Sequence, residues 1–395
     1  TCALPIFIMK IVFNRQEVIN CVTPIMCAAS SVRSSIAAVE GILFEAEAPS
    51  TVVMTTYDLE KGVRTTVEAD VLEGGSCVIN AQKFLQSVKV MGGEEITLTV
   101  SDRLAVTITS GKSTYRMTAL PATDFPSLPA LKTELGFTVQ SKVLREMISK
   151  VSYAMGVNDQ RTILNGTYFK VTDGELLCVA CDGFRLAKSE RRINLGHIND
   201  DDSALHFAYV VPAKTVNELC RMLPDDDDTG VAVYMGRKHM VYVIEGLTFF
   251  TRLIEGEYID YDRIIIKNHR IDVKCPKQSL MLALEKAAIV TEEKIVGAGR
   301  THVKLSLEGE LLKITADSSL GSSYDEIPVE HEGDDIVIAF NNRYLIDSVR
   351  SCTTDEVELQ MSTPLTSVNI LPVYGEGEEA TSDDIFFLLP VRMKS

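Results

Sequence analysis

The sequence predicts an α+β protein made of three similar domains, each with two helices packed on antiparallel sheets. A stretch that reads as a strand turning directly into an amphipathic helix occurs three times, at Cys77–Met91, Tyr209–Leu223 and Val337–Cys352. Equivalent positions in successive copies are 132 and 128 residues apart. Alternating apolar and polar residues flank every copy, which is typical of half-buried antiparallel strands. One order of helices and strands, repeated three times, therefore organises the chain.

The remaining elements recur in the same order around these three stretches. An earlier helix is predicted in each domain, at Asn14–Met26, Ser141–Val151 and Lys277–Ala288. Two strands are predicted after each of these helices: Gly41–Glu45 and Val52–Thr56, Thr167–Val171 and Leu176–Ala180, Val303–Leu307 and Leu311–Thr315. A hairpin is predicted after each strand–helix stretch, at Ile96–Ser110, Val231–Gly246 and Val357–Val373. The helices are indicated by apolar residues at helical spacing, such as Val216, Leu219 and Leu223.

The length of the repeat sets the domain boundaries. A solenoid repeat runs to roughly 20–50 residues, so this much longer period indicates three domains in tandem. Units of this size bury a core of their own. We expect domains at 9–130, 131–266 and 267–395. The first eight residues, which precede Met9, are interpreted as an upstream extension or an expression remnant.

Cysteine and hydropathy patterns indicate a cytoplasmic protein. The chain has nine scattered cysteines and no basic, apolar export signal, which suggests reduced thiols. No apolar run approaches the ~20 residues of a membrane span. Cys178 and Cys181 form a C-x-x-C, but a strand would place their side chains on opposite faces, and no second pair completes a zinc site. No metal site, cofactor or catalytic residue set is predicted.

Charge is unevenly distributed along the chain. The net charge is −16, yet the six helix candidates together carry +7 and the rest of the chain −23. If the helices share one surface, that surface is basic and would attract a phosphate backbone without reading bases. The alternative is that each helix simply exposes its cations to solvent. The main contributors are Lys83, Lys89, Lys142, Lys150, Lys214 and Arg221.

Three stretches carry a resemblance to a known family. They are ALPATDFPSLP at 119–129, LNGTYFKV with ACDGFRLA within 164–187, and LLPVRM at 388–393. Over 9–393 the chain resembles bacterial sliding clamps, the beta subunits of the replicative DNA polymerase. The resemblance implies a closed ring formed by a head-to-tail homodimer, with helices lining a hole that encircles duplex DNA independently of its sequence. It implies no catalysis, and as further partners the polymerase catalytic subunit, the clamp loader and other proteins with clamp-binding motifs.

The resemblance also implies a hydrophobic pocket for partner peptides. An apolar groove of this kind captures a short linear motif. Its residues here would be Leu164, Cys181, Gly183, Arg185, Leu186, Ile259, Arg263, Ile264, Asn341, Tyr344, Leu365, Ser367, Leu389, Pro390, Val391, Arg392 and Met393. The chain departs from the family pattern at Cys181, Ile259 and Phe184, where Thr, Pro and His are familiar.

Two further surfaces are expected. The residues expected to face DNA are Arg33, Lys83, Lys89, Lys142, Lys150, Asn158, Lys214 and Arg221, while Thr162 and Ile163 replace aromatic residues of the family. The residues expected at the dimer interface are Lys112, Tyr115 and Met117 in the first domain, and Ile289, Val290, Asp325 and Glu326 in the third.

Two other classes of protein remain as alternatives at this point. A triplicated acidic enzyme is disfavoured by the missing acid, base and nucleophile set. An acidic protein-interaction scaffold that does not bind DNA is disfavoured by the basic helices, which such a scaffold does not require.

Overall fold

A computed structural model describes residues 7–30, 36–131, 135–193, 195–198, 205–291, 302–319 and 321–393. Helices and strands alternate along the whole described chain. In the first sequence repeat they are β1 Phe7–Asn14, α1 Arg15–Ile25, β2 Gly41–Glu47, β3 Thr51–Tyr57, β4 Lys61–Glu68, β5 Asp70–Glu73, β6 Gly75–Asn80, α2 Ala81–Val90, β7 Glu95–Ser101, β8 Ala105–Ser110, β9 Ser113–Thr118 and β10 Leu120–Pro121.

The second and third repeats continue in the same way. The second contains β11 Gly136–Gln140, α3 Ser141–Val151, β12 Gly166–Thr172, β13 Glu175–Cys181, β14 Arg185–Arg192, β15 Gly196–His197, β16 His206–Pro212, α4 Ala213–Met222, β17 Gly230–Met235, β18 His239–Ile244, β19 Leu247–Arg252 and α5 Tyr261–Ile264. The third contains β20 Ile271–Pro276, α6 Lys277–Thr291, β21 Val303–Glu308, β22 Leu311–Ser318, β23 Gly321–Pro328, β24 Glu330–Glu332, β25 Ile336–Phe340, α7 Asn342–Ser351, β26 Glu356–Met361, β27 Val368–Val373 and β28 Asp383–Leu388.

All six predicted helices are confirmed, and the structure also shows how each of them begins. A strand leads directly into every one of them, so each repeat consists of two halves of the form strand, helix, three strands. An asparagine begins three of the helices: the side chains of Asn14, Asn80 and Asn341 accept backbone N–H groups of the first turn of α1, α2 and α7. Such caps satisfy donors that have no partner inside the helix.

The described chain folds as two compact units rather than along its sequence repeats. The first unit is formed by the described residues within Thr1–Lys142, Gly196–Asp202 and Arg221–Leu253. It holds one five-stranded sheet in the order β5-β1-β7-β8-β9 and one ten-stranded sheet in the order β10-β6-β2-β3-β4-β19-β18-β17-β11-β15. The pair β4–β19 joins the first repeat to the second, with Gly62 opposite Phe250. We call this pair the first seam.

The second unit has the same plan. It is formed by the described residues within Val143–Leu195, Ser203–Cys220 and Ile254–Ser395. A nine-stranded sheet runs β16-β12-β13-β14-β28-β27-β26-β20-β24, and a four-stranded sheet runs β23-β22-β21-β25. The pair β14–β28 joins the second repeat to the third, with Leu186 opposite Phe387. We call this pair the second seam. The three domain boundaries stay a prediction.

Candidate peptide pocket, helix surfaces and strand edges

The candidate pocket in the second unit begins at the turn between β13 and β14. The Asp182 Oδ1 atom accepts the backbone N–H groups of Phe184 at 2.9 Å and Arg185 at 3.0 Å. Gly183 between them has a φ of 89°, a left-handed conformation that glycine adopts without steric cost. The Asp-Gly pair thus forms a tight turn that presents the Phe184 side chain to solvent, where 53% of it is exposed.

Arg185 fastens this turn to α7. Its Nε atom lies 3.0 Å from the Asp182 carboxylate, and its Nη1 atom lies 2.8 Å from the carboxylate of Asp347. The guanidinium also lies over the rings of Tyr153 and Tyr344, 5.1 Å and 4.1 Å from their centroids. A planar guanidinium has several directed N–H donors and a flat face, so it can pair with two carboxylates while it lies over aromatic rings. The turn and the helix are therefore held in one geometry.

An apolar floor lies beside this turn. Leu164, Cys181 and Leu186 are buried in one cluster with Ile265 and Phe387. The floor is completed by Leu177 and Val179 in the cluster and by Ile163, Tyr168, Tyr258, Ile259, Tyr261 and Ile385 packed against it. Burial raises the pKa of the Cys181 thiol. Leu164 and Leu186 are fully buried, so they support the site from beneath rather than line its surface.

Four of the predicted pocket residues, together with Phe184 of the turn, have large apolar side chains that are exposed. They are Phe184, Ile264, Leu365, Leu389 and Met393, each exposed by 37–70%. Such side chains are notable because large apolar groups exposed together mark binding surfaces. Of the remaining predicted residues, Ser367 is buried, while Arg263 is exposed and pairs with Asp260 at 2.8 Å.

The end of the chain runs alongside the turn. After β28, the backbone N–H of Leu389 donates to the carbonyl of Phe184 at 2.9 Å. Two residues later, the N–H of Val391 donates to the carbonyl of Ala339 at 2.7 Å, just before the Asn341 cap of α7. The tail is thus hydrogen-bonded to the turn at Phe184 and to β25 at Ala339. Lys394 and Ser395 lie outside the described residues.

Several residues of the site were missed from the sequence. Asp347 and Tyr153 contact Arg185 only because α7 and the segment after α3 meet in the fold, so no local signal marks them. Asp182 was detectable, because an Asp-Gly pair between two strands is a turn signal. Phe184 was recognised as a departure from the family pattern, but its sequence position was not recognised as the exposed corner of a turn.

The residues expected to face DNA are in different environments. Lys83, Lys89, Lys214, Arg221 and Asn158 are exposed, and Asn158 has a φ of 53°. Lys142 forms an exposed ion pair with Asp227 at 3.0 Å. Arg33 lies outside the described residues.

Lys150 lies in a different environment from the DNA-facing surface that was predicted for it. Its ammonium is buried and lies 2.6 Å from the Asp384 carboxylate and 2.8 Å from the Ser382 hydroxyl. The other Asp384 oxygen accepts the Ser189 hydroxyl at 2.6 Å. A buried charge is retained only when it is paired and hydrogen-bonded in this way. Lys150 therefore ties α3 to β28 and is not a DNA-facing cation.

The expected interface residues of the first unit lie on an open sheet edge. Strand β9 ends the five-stranded sheet, and its side chains are almost all exposed. Between β9 and α2 lies a groove of about 920 Å³. Its lining residues are Asn80, Lys83, Gln86, Ser87, Lys89, Val90, Tyr115, Arg116, Met117 and Thr118. Lys83 and Lys89, expected to face DNA, thus stand beside Tyr115 and Met117, while Lys112 is exposed in the turn before β9.

The expected interface residues of the second unit lie on the corresponding edge. Strand β23 ends the four-stranded sheet. Asp325 pairs with Lys286 of α6 at 2.8 Å, and Glu326 accepts the Tyr324 hydroxyl at 2.7 Å. Near the end of α6, Ile289 is 81% exposed, and Val290 is half-buried.

Family comparisons match this architecture. Three models described as the N-terminal, central and C-terminal domains of the DNA polymerase III beta subunit match residues 9–129, 138–260 and 262–382. The chain belongs to the DNA polymerase III beta subunit family. Its order of domains is that of the family, and the threefold repeat read from the sequence corresponds to these three matches.

Proteins similar to this chain include sliding clamps and polymerase III beta subunits. A beta sliding clamp of Staphylococcus epidermidis is 25% identical over 362 residues, 89% of this chain and 92% of that protein. The DNA polymerase III subunit beta from Pseudomonas aeruginosa has 26% identity and a TM-score of 0.87, covering 98% of this chain and 100% of the other. A sliding clamp of Pseudomonas aeruginosa bound to griselimycin has a TM-score of 0.86, with 26% identity and the same coverage of both chains.

The role of this beta subunit is that of a non-catalytic processivity clamp of DNA replication. The alternative of an acidic scaffold that does not bind DNA is not favoured by these relatives. Across the described ranges, no helix is long and apolar enough to cross a membrane. Within those same ranges, no cluster of three or more His, Cys, Asp or Glu side chains is arranged to hold a metal ion.

Proposed function

We propose that two copies of this chain close head to tail into a ring around duplex DNA. One observation carries the proposal. At both seams, the last strand of the first half of one repeat pairs with the last strand of the second half of the next repeat, as β4 with β19 and β14 with β28. The same rule would pair β23 with β9, and among the strands that the structure describes neither has a partner on its outer edge.

The chemistry of the two edges supports this pairing. Beside β9 stand Arg116 and Lys112, whereas β23 carries Asp325 and Glu326. Opposite charges on two edges favour one orientation of association and disfavour an edge pairing with itself. The exposed Ile289 of one copy would fill the apolar part of the groove between α2 and β9 of its partner. Burying such a side chain contributes roughly 1.5–3 kcal/mol.

Contact with DNA would be electrostatic. Lys214 and Arg221 are exposed on α4, and they would meet phosphates without reading bases. With Lys150 neutralised by Asp384, fewer cations serve this surface than the sequence suggested. We therefore expect weak and steeply salt-dependent affinity for linear duplex, with retention on DNA provided by the closed ring rather than by tight contacts.

Partners would dock on the pocket beside the second seam. A short peptide with Leu or Phe anchors would cover the exposed Leu365, Leu389 and Phe184 side chains above the apolar floor. The proposed partners are the catalytic subunit of the polymerase, the clamp loader and other proteins with such motifs, and the proposed compartment is the cytoplasm. Each ring would hold two such pockets, so two partners could be held together.

The assembly test is light scattering on the purified chain at micromolar concentration. A dimer has twice the chain mass of 43.5 kDa. We expect Ile289→Asp to give monomers, because a carboxylate placed against the apolar part of the groove would lose its hydration without gaining apolar contact. The matched control is Leu282→Asp, an exposed leucine on the same helix, which should stay dimeric. A wild-type monomer at these concentrations would contradict the ring.

The DNA test compares topologies. A loaded clamp should remain on nicked circular DNA and leave it once the circle is linearised, because only a ring is released at an end. Replacing Lys214 and Arg221 together by Glu should reduce the amount of clamp that is loaded and retained on the circle. The mass of the dimer should not change. Equal retention on linear and circular DNA would contradict encirclement.

A further inference from the structure

The first seam repeats the turn of the peptide pocket. Between β3 and β4, Asp58 Oδ1 accepts the backbone N–H groups of Glu60 at 3.0 Å and Lys61 at 2.8 Å. The ammonium of Lys61 returns to the other Asp58 oxygen at 2.7 Å. Asp182 and Arg185 make the same set of contacts at the second seam. The two turns are therefore equivalent residue by residue.

The chain that follows each seam strand makes the same contact. At the first seam, the N–H of Arg252 donates to the carbonyl of Glu60 at 2.8 Å. At the second, the N–H of Leu389 donates to the carbonyl of Phe184 at 2.9 Å. The similarity extends to backbone conformation, because Leu59 at the position of Gly183 also has a positive φ, of 78°. A leucine in this region is uncommon and strained.

Side chains, not backbone, distinguish the two sites. Counting from the two aspartates, Tyr57 stands where the pocket has Cys181, and Gly62 stands where it has Leu186. The ring of Phe250 occupies the space over Gly62, since an added Cβ there would lie 2.2 Å from its Cζ atom. The Tyr57 ring packs against Phe250 with centroids 5.6 Å apart.

The Tyr57 ring is also fixed in place. Its hydroxyl donates to the carbonyl of Leu59 at 3.2 Å, and the residue is buried in a cluster with Phe125 and Phe250. Partly buried Leu120, Leu128 and Leu131 pack on this cluster, and Leu59 is 45% exposed beside it. The apolar surroundings of a peptide site are present. Because Phe250 has its counterpart in Phe387 of the second seam, Tyr57 is the aromatic ring that stands in place of Cys181.

We propose that the first seam is a second, closed copy of the partner-peptide site, in which the Tyr57 ring takes the place of a peptide anchor. This inference rests on the proposed function of the second seam. Its ligand class is the same, a short linear peptide with Leu or Phe anchors. The closed copy explains why one chain would present a single working pocket although two seams share the turn.

The test is a titration with one fluorescent synthetic peptide carrying Leu and Phe anchors. The intact wild type should bind one peptide per chain. Deleting Leu389–Ser395 should abolish that binding. Adding Tyr57→Cys to the truncated chain should restore binding at the first seam, roughly 10- to 100-fold weaker than the wild type because the opened site is not preorganised.

Three variants make the result decisive. Tyr57→Phe in the truncated chain keeps the ring and should show no binding. Tyr57→Leu offers a second, apolar way to shorten the side chain if Tyr57→Cys fails to fold, as judged by thermal unfolding. Adding Leu59→Asp should remove the restored binding.

Outcomes separate this inference from the proposed function. A folded Tyr57→Cys or Tyr57→Leu variant that binds no peptide overturns the inference alone, as does a wild type that binds two peptides per chain. A wild type that binds no peptide overturns the proposed function of the pocket and with it the idea of a copy.

Discussion

The two seams share the backbone conformation of their turns and differ in the side chains that pack beside those turns. At the second seam, Cys181 and Leu186 lie in a buried apolar cluster with Phe387. At the first seam, Tyr57 and Gly62 stand at the positions of Cys181 and Leu186, and the Tyr57 ring packs against Phe250, the counterpart of Phe387. Interiors are packed to near-crystalline density, so exchanging a small side chain for a ring decides whether a site exists at all. Under the proposed function, side-chain volume on a common backbone would therefore decide which seam binds a peptide.

The largest expected effect concerns the Lys150–Asp384 ion pair of the second unit, whose carboxylate is fully buried. Lys150→Met should lower the free energy of unfolding by about 3–5 kcal/mol, because Asp384 is left buried and unpaired. The matched change in the first unit, Lys61→Met, should cost less, because its partner Asp58 is 20% exposed and can be solvated. Urea denaturation of both variants checks this.

A compensating variant sharpens the same comparison. Replacing Asp384 by Leu together with Lys150→Met should recover most of the lost stability, because an apolar pair of similar volume has no desolvation cost. A single Lys150→Met variant as stable as the wild type would mean that the pair contributes nothing.

The next effect is on peptide binding. Deleting Leu389–Ser395 should abolish measurable binding of a polymerase-derived peptide, because each anchor loses apolar burial worth roughly 1.5–3 kcal/mol. The dimer and its encirclement of DNA should be unchanged, because the tail lies at the second seam and not on β9 or β23. Fluorescence anisotropy measures the affinity, and equal affinities would place the pocket elsewhere.

A smaller effect distinguishes the two cations of the turns. Arg185→Lys should weaken peptide binding by about tenfold, because an ammonium cannot pair with Asp182 and Asp347 while lying over two rings. The matched exchange at the first seam, Lys61→Arg, should leave peptide affinity unchanged. Loss of binding in the second variant would show that the first seam takes part in the wild type.

The smallest effect concerns the thiol of the pocket floor. Burial raises the pKa of Cys181, so its alkylation should be slow at neutral pH and should keep accelerating above the usual thiol pKa of about 8.5. Bound peptide should slow it a few-fold further. Mass spectrometry after timed exposure to iodoacetamide follows the reaction, with half-buried Cys220 as reference. Rapid labelling of Cys181 at neutral pH would mean that the floor is open to solvent.

Local patterns predicted the helices well and the seam strands poorly. The predicted Ser141–Val151 helix has the observed bounds, because its apolar spacing is strong and local. Strand β14 was missed, since RLAKSERR carries five charged residues. It is a strand because β13 and β28 pair with it on both sides, and β28 lies about two hundred residues away in the chain.

The sequence by itself determined the repeat, the six helices and the family, because periodicity and the three family-like stretches are properties of the chain order. Tertiary structure decided which strands close the seams, that Lys150 is buried against Asp384, and that Arg185 joins a turn to α7. It also decided that the Tyr57 ring packs against Phe250 at the first seam. Charge, volume and solvent access depend on neighbours that are distant in sequence, and only the packed chain brings those neighbours together.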